Sequence, residues 1–86
     1  MTETAQHLAD TLRARFIDAT VAEVGKCLAD GIDVRGYLYW SLLDNFEWTS
    51  GYAKRFGLVA VDRKTFKRTV KPSARVLAAH ARAGRP

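Results

Sequence analysis

The chain has 86 residues, a formal net charge of +5, 48% hydrophobic and 27% charged side chains, and one cysteine. That balance belongs to an ordinary globular protein and excludes a disordered chain, while the length allows one small domain of thin stability. The lone Cys27 excludes an internal disulfide and a cysteine-rich metal site, and no apolar run approaches the length needed to cross a bilayer, so no membrane partner is expected.

The opening Met1-Thr2-Glu3-Thr4 has neither the basic start nor the apolar stretch of a secretory signal, which makes a cytoplasmic setting the expectation. From Leu8 to Leu28 the apolar residues recur at helical spacing. Ile17, Val21, Val24 and Leu28 follow at steps of four, three and four, which puts them on one face. Asp10, Arg13, Arg15, Asp18, Glu23 and Lys26 mostly occupy the remaining surface. One long amphipathic helix is predicted, with Gly31 as its stop. Cys27, beside Val24 and Leu28 in this pattern, reads as a small buried hydrophobe.

After Ile32–Gly36 come Tyr37-Leu38-Tyr39-Trp40-Ser41-Leu42-Leu43, rich in aromatics and apolar on both faces. That pattern suits a strand covered on both sides, as in a parallel sheet. A helix followed directly by such a strand is half of a β-α-β unit, which places the chain in the α/β class. No parallel partner for this strand is evident in the rest of the chain. Thr49, Ser50 and Gly51 mark a turn. Phe56 to Val61 reads as a short strand, Asp62 to Lys64 as a turn, and Thr65 to Arg68 as a short antiparallel return. Pro72 opens a last helix, since its missing N–H costs nothing in a first turn. Val76, Leu77 and Ala81 give that helix an apolar side, and Gly84 ends it.

The positive charge raises the question of nucleic acid, which wants basic residues gathered on one face with aromatics or a known fold to read bases. Arg13, Arg15, Lys26 and Arg35 are scattered, and only Arg63, Lys64, Lys67, Arg68 and Lys71 cluster, in a turn region. A solvated loop is the favoured reading, and no nucleic-acid partner is expected. His7 and His80 have no second ligand near them in sequence and read as surface or packing histidines. No metal or other cofactor is expected.

The densest chemistry lies in Trp40-Ser41-Leu42-Leu43-Asp44-Asn45-Phe46-Glu47-Trp48, where two tryptophans, two acids and an amide fall within nine residues. Indole faces are apolar and mildly negative, and suit the electropositive C–H face of a sugar ring. A carboxylate accepting from adjacent hydroxyls, beside an indole N–H donor, supplies the polar half of a sugar site. The same residues also fit a packed core, with Asp44 or Asn45 turning the chain. Asp44 and Glu47 are not read as a catalytic pair, because glycosidase carboxylates flank one bond from opposite sides.

The run from Gly36, G-Y-L-Y-W-S-L-L-D-N-F-E-W-T-S-G-Y-A-K-R-F-G-L-V-A-V-D, closely resembles the C-terminal signature of glycoside hydrolase family 1. This family comprises retaining β-glucosidases and β-galactosidases built on a (β/α)8 TIM barrel. Arg68-Thr69, Lys71 and Ser73-Ala74-Arg75 match the family's closing pattern. Asp10, Arg13, Phe16 and Ile17 fit its D-x-x-R-x-x-Y-L helix. The resemblance covers about Asp10 to Arg82. It departs at Val76 and Ala60, where the family has frequent aromatics.

The resemblance implies that the chain is the C-terminal fragment of such a barrel: helix 7, strand 8, a small β excursion and helix 8. That makes 1–86 a single partial domain, incomplete on its own. By the same resemblance, Trp40 is the platform for the glycone ring, Glu47 grips the 4- and 6-hydroxyls, Trp48 donates to the 3-hydroxyl and Phe56 lines the same subsite. Arg55 belongs to the signature without a derivable role. A carboxylate at the 6-position would repel a phosphate dianion, so an unphosphorylated β-glucoside or β-galactoside is the expected glycone.

The family's two catalytic glutamates sit in N-E-P and T-E-N-G. N-E-P occurs nowhere in this sequence, and Met1-Thr2-Glu3-Thr4 offers T-E without N-G, too close to Asp10 and with no strand before it. No residue here is therefore expected to be catalytic. The sequence predicts a glycone-binding part of a retaining β-glucosidase, inactive alone, whose partner is a complementary barrel chain or a second copy of itself. The alternatives are a non-enzymatic sugar binder or a degenerate fragment and, behind these, a basic nucleic-acid-binding module.

Overall fold

The computed structural model describes residues 3–45, 51 and 55–84. It divides into two compact units, Met1–Tyr37 with Pro72–Pro86, and Leu38–Lys71.

The first unit is a helix pair. Helix α1 runs over Glu3–Ala29 and helix α2 over Pro72–Ala83. The first begins earlier than the apolar repeat predicts, because nothing from Glu3 to His7 breaks a helix. Its end has a defined mechanism. Gly31 adopts φ 83°, its N–H donates to Leu28 O at 3.1 Å, and the Ile32 N–H donates to Cys27 O at 3.0 Å. This is the Schellman arrangement, which turns the last helical carbonyls toward partners and favours glycine at the left-handed position. At the other end of the unit, Pro72 opens α2 and Gly84, at φ 75°, closes it.

The core of this unit is small. Ile17 is fully buried and Val21 nearly so. Burying a side chain such as Ile17 contributes about 1.5–3 kcal/mol. Val24 and Cys27 are half-buried, whereas Leu28 is exposed. The expectation of a buried Cys27 is thus met only halfway. The expectation of one apolar face also changes. Leu8, Leu12 and Phe16, at four-residue steps, form a second apolar stripe, and each is more than half exposed.

Polar chemistry completes the helix pair. Asp10, almost fully buried, accepts from the Ser73 N–H at 3.0 Å, the Ser73 hydroxyl at 2.6 Å and the Arg13 guanidinium at 2.7 Å. The first N–H groups of a helix lack internal partners and carry partial positive charge, so a carboxylate from α1 is well matched to the start of α2. Burial pushes the Asp10 carboxyl pKa up, but the bonds from Ser73, with the bond and charge of Arg13, outweigh it and hold the group below its ordinary 3.8. His80 and Asp18 join the same two helices, Nε2 to Oδ1 at 2.7 Å.

The second unit contains strands β1 (Val59–Val61) and β2 (Arg68–Val70), paired antiparallel with Ala60 opposite Thr69. The turn between them is longer than predicted, and the return strand starts at Arg68 instead of Thr65. Asp62 sets this geometry. Its carboxylate accepts from the Lys64 and Thr65 N–H groups at 2.8 and 3.1 Å, and these bonds lower its pKa. Its carbonyl accepts from the Phe66 N–H at 2.7 Å, leaving Phe66 at φ 60°. Those side-chain bonds satisfy backbone donors inside the turn, so the ladder closes later.

The strand expected from Tyr37 to Leu43 is corrected. Residues 37–40 are in neither helix nor strand, and pairing begins at Ser41. There the chain does have a parallel partner: Leu43 bridges Val59. The Ser41 N–H donates to Phe56 O at 3.4 Å, Leu58 N–H to Ser41 O at 2.9 Å, Val59 N–H to Leu42 O at 2.8 Å, and Asp44 N–H to Val59 O at 3.1 Å. A strand made apolar on both faces needs cover on both faces. Here Leu38 is 98% exposed, so its sequence pattern has no counterpart in cover among the described residues.

Candidate functional site

The ladder from Ser41 to Asp44 places Trp40 and Phe56 at matching ends of two hydrogen-bonded segments. Both are exposed for large aromatics, Trp40 at 69% and Phe56 at 43%. The Trp40–Ser41 peptide bond is cis. The Ser41 N–H bond to Phe56 O sets two of the four sugar-contact residues implied by the family resemblance on neighbouring segments of the second unit. The other two, Glu47 and Trp48, lie outside the described residues, as do Thr49 and Ser50 of the predicted turn. Gly51, the third residue of that turn, has φ 57°. Arg55 is exposed and engaged with other groups.

From Ser41 to Asn45 the backbone is shaped by its own side chains. The Ser41 hydroxyl donates to Leu43 O at 3.1 Å, and the Asn45 amide donates to Leu43 O at 2.9 Å and to Ser41 Oγ at 3.3 Å. Asp44 does something different. It is nearly buried, and its Oδ1 accepts from the Gly57 N–H at 2.9 Å and from Lys71 Nζ at 2.8 Å. Its carbonyl accepts from Arg63 Nη2 at 2.5 Å. A buried carboxylate is costly unless paired and hydrogen-bonded, and Asp44 is both.

Gly57 makes that pairing sterically feasible. A Cβ there would lie 2.3 Å from the Asp44 nitrogen and 2.4 Å from the Leu43 carbonyl carbon. A glycine inside a strand pattern signals close backbone approach, and Phe56-Gly57-Leu58 carried that signal in the sequence. Lys71 also corrects the reading of the basic cluster as wholly solvated. Arg63, Lys64, Lys67 and Arg68 are exposed, yet Arg63 also reaches the Asp44 carbonyl, and Lys71 is half-buried and engaged with the Asp44 carboxylate. Every buried side-chain polar atom among the described residues has a hydrogen-bond partner.

The helical unit carries a separate apolar groove of about 330 Å³, lined among others by Val21, Leu28, Val34, Tyr37, Leu77 and His80. None of Trp40, Phe56 or Asp44 lines it. Among the described residues, no helix is long and apolar enough to cross a membrane.

Comparison with known proteins agrees with the signature. The sequence model of Glycosyl hydrolase family 1 matches residues 1–84. The chain is 52% identical over 69 residues to Beta-glucosidase 26 of Oryza sativa subsp. japonica, covering 80% of this chain and 14% of that relative. It is 47% identical over 68 residues to a Beta-galactosidase of Sulfolobus acidocaldarius, covering 79% of this chain and 14% of that relative. Among solved structures, the apo beta-glucosidase 1317 superposes with TM-score 0.85 at 60% identity, covering 90% of this chain and 19% of that one. The Thermotoga maritima beta-glucosidase in complex with glucoimidazole gives TM-score 0.80 at 40% identity, covering 85% and 17%. The chain thus spans less than a fifth of the length of these relatives.

Proposed function

The chain belongs to glycosyl hydrolase family 1, and from that membership we propose that it is the C-terminal, glycone-gripping part of a retaining β-glucosidase. In this reading 1–86 is one partial domain, with α1 as helix 7 of a (β/α)8 barrel, the segment around Trp40 as strand 8, the β1–β2 hairpin as a small excursion and α2 as helix 8. Trp40 stacks on the sugar, Phe56 lines the same subsite, Glu47 accepts from the 4- and 6-hydroxyls and Trp48 donates to the 3-hydroxyl. The ligand is an unphosphorylated β-glucoside or β-galactoside, in a cytoplasmic setting.

The observation that carries this reading is the pairing that sets Trp40 and Phe56, two exposed aromatics, on adjacent segments. Apolar ring faces beside hydroxyl-binding groups are what a glycone site requires. Retaining hydrolysis needs a carboxylate that attacks and another that protonates the leaving group. The sequence holds neither N-E-P nor T-E-N-G, so the same reading assigns this chain grip without cleavage.

A complementary barrel chain or a second copy supplies its partner. The exposed stripe of Leu8, Leu12 and Phe16 supports this, as does the exposure of Leu38. The test is direct. The purified chain is expected to release no nitrophenolate from 4-nitrophenyl β-D-glucoside, and catalytic turnover by the chain alone would overturn the division of labour.

A further inference from the structure

We propose that Asp44 is a positioning residue for the sugar-gripping segment: through Lys71, Arg63 and Gly57 it holds residues 41–45 against the strand that follows Phe56, keeps Trp40 and Phe56 in register, and so tunes glycone affinity. The inference rests on the reading of Trp40–Trp48 as that segment.

Three different parts of Asp44 are held from four places in the second unit. Its N–H donates to Val59 O in β1, its carbonyl accepts from Arg63 in the β1–β2 turn, and its carboxylate accepts from Gly57 and from Lys71 just beyond β2. The side chains of Ser41 and Asn45 bond only inside 41–45 in the bonds described above, so they shape the turn without attaching it. Asp44 supplies the side-chain attachment.

Its chemistry argues for geometry as much as for stability. A buried ion pair is often no more stabilising than apolar residues of the same volume, so stability alone gives little reason for one here. What a charge-assisted pair adds is direction, because each hydrogen bond restricts both distance and angle. Gly57, whose N–H the Asp44 carboxylate holds, directly follows Phe56, and Ser41, which starts the same ladder, directly follows Trp40. A shift at Asp44 therefore moves the ladder that carries both aromatics, and binding groups lose function when misplaced by about 1 Å.

The chain offers its own reporter, since both tryptophans, Trp40 and Trp48, lie in this segment. The experiment titrates the full 86-residue chain with methyl β-D-glucoside, reading tryptophan emission, alongside Asp44→Asn, Lys71→Met and Lys71→Arg. Asp44→Asn and Lys71→Met are expected to weaken the response about tenfold, the equivalent of one lost charge-assisted hydrogen bond. Lys71→Arg, which keeps the charge and a donor for the single bond to Asp44 Oδ1, is expected to stay within about threefold of the parent. Helical ellipticity should be unchanged in all three.

Unchanged affinity in Asp44→Asn and Lys71→Met would overturn the proposal. Equal losses in Lys71→Met and Lys71→Arg, or losses that track falling ellipticity, would also overturn it by reducing the effect to general destabilisation. If the parent chain gives no sugar response, the sugar-gripping reading fails, and positioning is then judged by amide exchange over 41–45. Faster exchange in Asp44→Asn and Lys71→Met, with Lys71→Arg protected, supports it, and uniform exchange overturns it.

Discussion

In the helical unit a buried aspartate works beside a buried apolar pair, Ile17 and Val21; in the hairpin unit a buried aspartate has Leu58 as its one buried apolar companion among the described residues. Asp10 and Asp44 look alike in outline, each buried, each bonded to a backbone N–H and to a cation. Their settings differ in consequence. Around Asp10 the helices retain non-directional apolar contact if the carboxylate is lost. Around Asp44 the attachment of the 41–45 segment is mostly polar and therefore directional, which suits the ligand-holding role proposed for it.

The comparison can be broken most forcefully at Ile17. Ile17→Ala should destabilise the helical unit by about 2–5 kcal/mol, read by denaturant unfolding at 222 nm. A change of only a few tenths would mean that apolar contact does not carry that unit. Asp10→Ala should cost about 2–3 kcal/mol, since it removes bonds from Ser73 and Arg13 to a charged acceptor. The pH dependence has a definite sign. Because the Asp10 pKa is depressed in the folded chain, its contribution is fully present above the ordinary 3.8 and shrinks as pH falls below that value. It is gone once pH passes through the depressed folded value. Asp10→Asn should flatten that part of an acid-unfolding curve, and an unchanged curve would deny Asp10 this role.

Gly57→Ala sharpens the other side of the comparison. The added methyl meets the Asp44 and Leu43 backbone, so a cost of about 1–3 kcal/mol is expected. It should appear as lost exchange protection at Leu58, Val59 and Asp44, whose N–H groups form the parallel ladder. The smallest effect has the opposite sign. Phe66 is exposed and sits at φ 60°, so Phe66→Gly should stabilise the hairpin by up to about 1 kcal/mol by removing left-handed strain. Loss of stability there would show that the Phe66 side chain matters more than its backbone strain.

Much of the fold was legible in the sequence because it depends on local rules. The helical repeat through Ile17 and Val21, the Gly31 stop, Pro72 at the start of α2 and Gly84 at its end follow from spacing and backbone preference. The family was legible from one long motif, and the matched model over residues 1–84 agrees. What escaped was long-range. Leu43 meets Val59 across 16 positions, Asp44 meets Lys71 across 27 and Asp10 meets Ser73 across 63, and no periodicity announces such pairs. In sequence Asp44 stands as a residue that turns the chain, whereas in the structure it bonds to Gly57, Arg63 and Lys71. The cover implied by the Tyr37–Leu43 pattern is incomplete among the described residues for a different reason. A two-sided apolar strand reports the sheet its sequence is suited to, and the described residues supply only part of one.

The most direct test of grip without cleavage is a titration of the purified chain with methyl β-D-glucoside, followed by the emission of Trp40 and Trp48. A saturable change that Glu47→Ala abolishes is expected. A flat titration, or a response that Glu47→Ala leaves intact, would contradict it.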